Sequence, residues 1–437
     1  MKALHILCLL LLLSCGKKEV PGETDDNNPG TPDPRLSNSG STQLSLPIPN
    51  FEWIGAHNNH IYGCDILTGT YLARFNTVDL KMDILKKYSS AETFQAIAHS
   101  VDIQGNIYYY AKAGGGNVGL MKIDANGNVQ WKKKLKMTLS AYNDPGDMQP
   151  VAVKHINGYL WALSSLYLFK VNPENGEVLN TIGISSTGER WTPGQDIIKA
   201  GENIMVQMGG GQLHFHILRT SDLKPLKSVK TPFKMFPTSG FPTNTILDVA
   251  ANRFFAVTHY REQSSLFPRG VIIEFDSDGK ILNSAILKDG LDQFEVTRMH
   301  RDKDGNYAVA FNTTIELGSN LKTKDVLIFN KNLELIHKVS LPPNLKRSAI
   351  SFNTSMVTLV NENNFKNTII EWVDTKNPGC KSNNRLTDIK LESLAFNTPE
   401  VQTNVAAFTS FMSYSGSEDM AYTVEDVNFS QTVSACN

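Results

Sequence analysis

From residue 50 onward, hydrophobic positions follow the spacing of β-strands rather than that of helices. Short runs rich in Val, Ile, Tyr, Phe and Trp end at Gly, Asn or Asp, and runs bounded in this way predict strands. Three of them are GNIYYYAK at Gly105–Lys112, NGYLWALS at Asn157–Ser164 and GNYAVAFN at Gly305–Asn312. No convincing amphipathic helix longer than a few turns is evident, and the best candidate is the segment Asp79–Ser90. The pattern as a whole predicts an all-β protein.

One unit recurs along this part of the chain: an apolar strand runs into a small polar turn. The first residues of successive turns are 59, 48, 48, 56, 54 and 44 residues apart, which leaves room for about four strands per unit. This spacing is typical of the blades of a β-propeller. Seven units predict seven four-stranded blades, with six or eight blades as alternatives, and we place each turn between the third and fourth strands. The seven first turn residues are Asp65, Asp124, Asn172, Thr220, Asp276, Asn330 and Asp374.

Composition divides the chain before and after the repeats. The stretch from residue 16 to residue 47 is rich in Gly, Pro, Asp, Asn, Ser and Thr and has few apolar side chains to offset the entropy cost of ordering. We therefore expect residues 15–47 to be a disordered tether and residues 48–379 to form the propeller. We expect residues 380–437 to be a C-terminal β segment that completes the first blade or caps the ring.

The N-terminus has the features of an export signal. A positive start at Lys2 precedes the apolar stretch Ala3–Leu13, which is too short to span a bilayer and has the length of a signal-peptide core. The stretch ends in Leu-Leu-Ser followed by Cys15, which resembles the lipobox of bacterial lipoproteins. The resemblance implies that residues 1–14 are removed and that the Cys15 sulfur carries a diacylglycerol with acyl chains such as palmitate. An ordinary secretory signal is the alternative.

The residue after the cysteine indicates the membrane. Gly16 stands where the inner-membrane retention signal of these lipoproteins has Asp, so the resemblance implies the outer membrane. The periplasmic and the cell-surface faces both stay open.

The turn units also resemble a known class of propeller. The stretches CDILTGTYLARF (Cys64–Phe75) and KIDANGNVQWKK (Lys122–Lys133) are similar to repeats of pyrroloquinoline-quinone-type propellers, and the similarity covers most of residues 51–375. Some members of that class are quinone-dependent dehydrogenases, whereas others are lipoproteins that scaffold outer-membrane protein assembly without a cofactor. The consensus tryptophan is missing from most units here, and no quinone-binding or calcium-binding residue can be matched. We therefore predict no cofactor.

Charge and cysteine content limit the partners further. A net charge of -1 provides no bulk field for nucleic acid or an anionic membrane, so recognition must be local.

An exported chain enters a compartment that permits disulfides. Cys380 and Cys436 bracket the C-terminal segment and are candidates for a disulfide that leaves Cys64 free, and three unpaired cysteines are the alternative.

Two patterns suggest metal sites, and both have a simpler interpretation. DSDG at Asp276–Gly279 and DKDGN at Asp302–Asn306 resemble fragments of calcium loops, but the ligand series that an EF-hand needs is absent, and hairpin turns favour the same residues. His214 and His216 share a strand face by alternation, which is the spacing of a metal pair. No third ligand is evident, so we predict no metal.

The candidate binding surface is the face that carries the loops between blades and the loops between second and third strands. These loops are long and combine aromatic side chains with Arg, a combination common at binding surfaces, although such side chains also pack loops onto blades. The candidate ligand-binding residues are Tyr142, Arg190, Trp191, Phe236, Phe241, Tyr260 and Arg261.

Two functional hypotheses follow. The first is a membrane-anchored, non-catalytic binding or scaffolding lipoprotein whose loop face engages a protein or a glycan. The alternative is a polysaccharide-active hydrolase or lyase with carboxylates in the central funnel, which two or more acidic groups converging on one pocket would favour. No GxSxG or HExxH motif is present, and the sequence names no catalytic residue.

Overall fold

A computed structural model of the chain gives the placement of most of the strand-forming part. It describes residues 40–45, 51–57, 60–65, 71–76, 79, 81–92, 94–139, 149–184, 194–208, 212–234, 245–250, 253–260, 269–288, 294–301, 304–314, 322–341, 348–353, 356–363, 367–374, 390–392, 400–403, 412–428 and 430–435. No helix among these residues has the length and apolar character needed to cross a membrane.

The described strands form seven antiparallel sheets, which we number as blades 1 to 7 in chain order, and in each blade we call the successive strands A, B, C and D. Blades 1 to 3 are built from β2 (Phe51–His57), β3 (His60–Asp65), β4 (Tyr71–Asn76), β5 (Lys81–Ser89), β6 (Phe94–Val101), β7 (Ile107–Ala113), β8 (Asn117–Ile123), β9 (Val129–Leu139), β10 (Pro150–Ile156), β11 (Tyr159–Ser164), β12 (Tyr167–Val171) and β13 (Val178–Gly183).

Blades 4 to 6 repeat the same order of four strands. They contain β14 (Gly194–Ala200), β15 (Asn203–Met208), β16 (Gln212–Leu218), β17 (Pro225–Lys234), β18 (Thr245–Ala250), β19 (Arg253–Tyr260), β20 (Arg269–Asp276), β21 (Ile281–Lys288), β22 (Phe294–Arg301), β23 (Tyr307–Thr314), β24 (Lys322–Phe329) and β25 (Leu335–Leu341).

Blade 7 takes its first three strands from one region of the chain and its fourth from another. β26 (Ser348–Asn353), β27 (Met356–Asn363) and β28 (Asn367–Asp374) are consecutive, and β1 (Gly40–Ser45) pairs with β28 as the fourth strand. The A strands contact one another in sequence from β2 to β26, and β26 in turn contacts β2. The sheets therefore form a closed ring, and the predicted β-propeller fold is confirmed.

Hydrophobic clusters between neighbouring blades hold the ring together. Tyr108, Tyr110 and Trp131 of blade 2 pack with Leu160 and Phe169 of blade 3, and similar clusters join blades 1 and 2 and blades 3 to 6. Because a blade packs on both of its faces, its middle strands are continuously apolar instead of alternating. Every residue of β12, for example, is buried.

The recurring polar turn is a hydrogen-bonded hairpin connection. The Oδ1 atom of Asp124 accepts the backbone N–H groups of Asn126 and Asn128 at 2.9 and 2.8 Å. Asp276 and Asn330 accept the equivalent pairs of N–H groups in blades 5 and 6. An Asp or Asn side chain stabilises a turn in this way without any metal ion. The turn interpretation of the DSDG stretch is therefore confirmed.

Side chains of one blade reach the C–D turn of the next blade, in most cases from the outer strand and in blade 3 from the third strand, β12. In blades 2, 4 and 5 the residue that makes this link lies seven positions after the first turn residue, which explains why the turn and that residue recur together. The links are Tyr88 Oη to Gly127 O (2.8 Å), Trp131 Nε1 to Pro173 O (2.9 Å), Lys170 Nζ to Thr220 O (2.8 Å), Lys227 Nζ to Asp278 Oδ1 (2.6 Å) and Asn283 Nδ2 to Asn332 O (3.4 Å).

The predicted position of the first repeat turn in blade 1 is wrong, and the best helix candidate contains a strand. The first turn residue of the repeat, Asp65, ends β3 and so precedes a B–C connection, whereas the C–D turn of blade 1 follows Asn76, 48 residues before Asp124. The segment Asp79–Ser90 contains strand β5 instead of a helix. A register shift between Arg74 and Phe75 accompanies the pairing of β4 with β5, and such a bulge lets positions three residues apart face the core together.

The boundary of the predicted tether is also wrong. Residues 40–45 belong to strand β1, which pairs with β28 on one side and with a C-terminal strand on the other. The three consecutive strands of blade 7 would otherwise leave the edge of β28 unpaired, and unpaired strand edges are unfavourable. The polar composition of this segment hides a strand because its partners are far away in the sequence.

The C-terminal segment neither completes the first blade nor forms a separate cap. Its strands, which we call the strap, add a fifth strand to the outer edge of blades 5, 4, 2, 1 and 7 in that order, so that the strap runs around the ring against the chain direction. The strap strands are β29 (Lys390–Glu392), β30 (Glu400–Gln402), β31 (Met412–Asp419), β32 (Thr423–Asp426) and β33 (Ser430–Ala435).

Replacing Trp131 by Ala is expected to lower the free energy of unfolding by about 3–5 kcal/mol, because a buried indole and its link to blade 3 are lost. Trp131→Phe keeps most of the packing but loses the hydrogen bond to Pro173. The lost hydrogen bond should cost about 1 kcal/mol, in addition to a small cost for the lost volume. Urea unfolding followed by circular dichroism measures both. A loss below about 1 kcal/mol for Trp131→Ala would show that the cluster between blades 2 and 3 does not depend on this side chain.

Candidate functional site

The two ends of the ring differ in the length of their connections. Because antiparallel strands alternate in direction, A–B and C–D turns lie at one end, and B–C and D–A connections lie at the other. A–B turns are as short as the two residues between β10 and β11, whereas D–A connections reach the ten residues between Leu139 and Pro150. The long connections are therefore collected at one end, which we call the loop face.

In the sequence, the predicted ligand-binding residues follow or end the strands β9, β13, β17 and β19, which belong to the consecutive blades 2 to 5. Tyr260 is the last residue of β19, opposite Arg269 of β20. Most of the predicted site residues lie outside the described part of the chain. They are Tyr142, Arg190, Trp191, Phe236, Phe241 and Arg261, together with Cys15, Cys380 and Cys436.

The described part of the loop face begins with the first Gly-Gly-Gly run. Gly114–Gly116 form a short 3-10 turn between β7 and β8, in which Gly115 and Gly116 have φ values of 74° and 75°. L-residues with a side chain rarely adopt such values, so glycine is needed here. The Asn117 side chain donates to the Gly114 carbonyl at 3.0 Å. The run is a tight hairpin tip.

A buried lysine lies close to this tip, a residue that sequence reasoning did not single out. The Lys132 amine lies 4.4 Å from the centroid of the Phe94 ring, and burial lowers the pKa of Lys132 to about 8. On the same strand, Lys134 forms an ion pair with Glu92 at 2.9 Å. Three consecutive Lys residues, Lys132 to Lys134, in a strand-forming run were the available signal.

The inner edge of blades 2 to 4 carries a line of polar residues. On consecutive A strands, Lys154 Nζ of β10 lies 3.6 Å from Asp196 Oδ1 of β14. The positive charge of Lys154 also helps burial to lower the pKa of His99 on β6. Bulges interrupt the pairing of these three strands with their B strands, after Ala96, Pro150 and Gly194. Such bulges redirect side chains, and here they recur beside the central channel.

The histidine pair lies within the protein and not at its surface. The rings of His214 and His216 are 4.6 Å apart in an edge-to-face arrangement, and His214 Nε2 lies 2.8 Å from Ser228 Oγ. Both histidines are buried, and burial together with His214 and Lys230 lowers the pKa of His216 to about 3. In the part of the chain that is described, no group of three or more His, Cys, Asp or Glu residues is placed to hold a metal ion.

Cys64 is a buried free thiol in the cluster between blades 1 and 2. Burial raises the pKa of its sulfur far above the ordinary value, and the charge of Asp65 raises it further. Because the thiolate is the reactive form, this arrangement suppresses nucleophilic chemistry.

The pKa values of His99 and His216 predict the response of the protein to acid. Burial lowers both values to about 3 from 6.5, so the folded protein keeps these rings neutral where the unfolded chain protonates them. Unfolding is therefore favoured as the pH falls from 6.5 toward 3, with a slope of up to about 1.4 kcal/mol per pH unit for each histidine.

Thermal unfolding at several pH values, for the wild type and for His216→Gln, measures this effect. The variant should lose stability less steeply with acidification than the wild type, whereas its stability at pH 7 reports only packing. Parallel curves for the two proteins would contradict the assignment.

Comparisons with known proteins give structural similarity without sequence similarity. No protein-family model matches the chain, and no curated protein matches it. Among solved structures, the chain is similar to BamB from Moraxella catarrhalis (TM-score 0.44, 10% identity, 75% of this chain and 98% of that chain). It is also similar to the dihydro-heme d1 dehydrogenase NirN in complex with DHE (TM-score 0.46, 12% identity, 84% and 75%). A third similar structure is a member of the DUF4221 family from Bacteroides vulgatus (TM-score 0.40, 10% identity, 71% and 97%).

Proposed function

We propose that this chain is a lipoprotein of the outer membrane whose propeller binds a protein or a glycan through its loop face. The observation that carries the proposal is the collection of long connections at one end of a rigid ring. A scaffold that fixes the ends of its loops while leaving their sequences free is the usual arrangement of a binding surface.

The chemistry of the loop face supports binding. Four neighbouring connections supply aromatic side chains and two Arg residues, which offer flat apolar surface and forked donors. Such residues are enriched where proteins bind other proteins, and aromatic faces also stack on sugar rings. The proposed site is the arc of blades 2 to 5.

The proposed anchor fits the entry point of the chain. The lipobox ends at Cys15 and strand β1 begins at Gly40, so the residues between them connect the lipid to blade 7. A polar linker of this length, if flexible, spans roughly 25–30 Å on average. The ring is then held close to the membrane without being part of it.

Lipidation is tested by comparing two cysteines of the signal region. Cys15→Ala should abolish incorporation of a palmitate analogue and release the protein from the membrane fraction, because the acyl acceptor is lost. Cys8→Ala changes a residue of the removed signal and should leave both unchanged. Labelling that persists in Cys15→Ala would overturn the proposed anchor.

The binding surface is tested with the double variant Arg190→Ala/Trp191→Ala. Captures from membrane extracts and a glycan array, each quantified against the wild type, should show a loss of about tenfold or more for a specific protein or glycan, as expected when hot-spot residues are removed. Lys331→Ala, an exposed change in the C–D turn of blade 6 at the opposite end, is the control. An equal loss for both variants, or no loss for the double variant, would contradict the assignment to the loop face.

A further inference from the structure

The outer edges of blades 1 and 2 are rich in lysine. Strand β9 carries Lys132, Lys133, Lys134 and Lys136, and β5 carries Lys86 and Lys87 beside Lys81. Lysine on an edge strand normally discourages pairing with another strand. Here both edges are paired, each with an acidic segment of the strap.

The register of the strap places opposite charges side by side. On β9, Glu418 and Asp419 lie opposite Lys134 and Lys133, and on β5 Glu425 and Asp426 lie opposite Lys87 and Lys86. Ion pairs in this region join Lys133 Nζ to Asp419 (2.7 Å), Lys136 Nζ to Glu418 (2.5 Å) and Lys134 Nζ to Glu418 (3.4 Å). The lysines hold the pKa of Glu418 below its ordinary value.

Where burial is described, few side chains of these two strap strands are buried. All four residues of β32 are exposed, and Asp419, Ser415 and Ser417 of β31 are exposed as well. Met420 is buried and Tyr414 is half-buried against the cluster between blades 2 and 3. Exposed ion pairs contribute little and weaken with salt, and an element with few buried contacts opens at low free energy.

From this arrangement we infer a second binding surface: the outer edges of β9 and β5 accept an extended acidic segment of a partner polypeptide, in antiparallel pairing, when β31 and β32 detach. The occupant is a peptide because the edge offers a row of backbone donors and acceptors, which is the basis of recognition by strand addition. It is acidic because the lysines require opposite charges at matching positions. The chain's own strap shows the register of such a complex.

This surface lies on the outer rim of the ring and not on the loop face. The inference is therefore independent of the proposed function, and its failure would leave the loop-face proposal unchanged. The strap also becomes an intramolecular competitor, so the apparent affinity for the partner equals the intrinsic affinity multiplied by the fraction of molecules in which the strap is open.

The direct test uses the full chain and a fluorescein-labelled peptide with the sequence of residues 412–428. Fluorescence anisotropy should show saturable binding that weakens as the salt concentration rises from about 50 mM to about 500 mM. A control peptide that carries Glu418→Gln, Asp419→Asn, Glu425→Gln and Asp426→Asn keeps the strand-forming sequence. It should bind about tenfold more weakly, as expected from losing several exposed charge pairs.

A disulfide variant establishes where the peptide binds. Ser89 of β5 and Thr423 of β32 lie opposite each other, so Ser89→Cys/Thr423→Cys can fix the strap in its closed position. The oxidised variant should lose binding, and reduction of the same sample should restore it, which shows that the protein is folded. Peptide binding by the oxidised form as strong as by the reduced form would overturn the inference. So would equal binding of the acidic and neutral peptides, or no saturable binding by the reduced form.

Discussion

The need to cover both faces of every sheet governs this structure. A four-stranded antiparallel sheet made of runs such as YLWALS and YLFKV is apolar on both sides and cannot be stable alone. Each blade therefore requires a neighbour on either side, and only a closed ring satisfies all blades at once. The continuous apolar runs, the clusters between blades and the contact of β26 with β2 are consequences of this one requirement.

Closure of the ring depends both on local turns and on pairing between distant parts of the chain. Asp124, Asp276 and Asn330 close their own hairpins with side-chain acceptors, and Trp131, Lys227 and Asn283 link blades 2, 4 and 5 to the next blade. The last blade cannot be completed in this local way, because its fourth strand comes from Gly40–Ser45. The first and the last of the described strands meet there, since β33 pairs with the other edge of β1. A segment of polar composition thus has a structural role at the seam of the ring.

The same ring presents three chemically different surfaces. Tight turns with internal hydrogen bonds cover one end, long connections extend from the other, and the rim exposes the outer strands. On the rim, lysines of β5 and β9 lie opposite acidic residues of the strap, and the strap residues of β32 are exposed. A surface held mainly by exposed ion pairs and backbone hydrogen bonds is one that can exchange its partner. The inner polar line of His99, Lys154 and Asp196, in contrast, is built into strands that are fixed by packing.

The sequence by itself determined the all-β class, the propeller and the places of most turns, because these depend on short-range patterns: strand runs, turn residues and a spacing near 50 residues. Prediction from the sequence failed where strand pairing joins residues that are far apart along the chain. Polar Gly40–Ser45 was assigned to the tether, β5 with its bulge was the best helix candidate, and the C-terminal segment was expected to complete the first blade or cap the ring. Nothing local in the sequence marks the partner of an edge strand. The surroundings of Lys132, the burial of the His214 and His216 pair and the match of strap acids to rim lysines likewise exist only once the ring brings distant strands together. Local periodicity encodes how a strand forms, whereas long-range contacts in the folded ring decide what that strand meets.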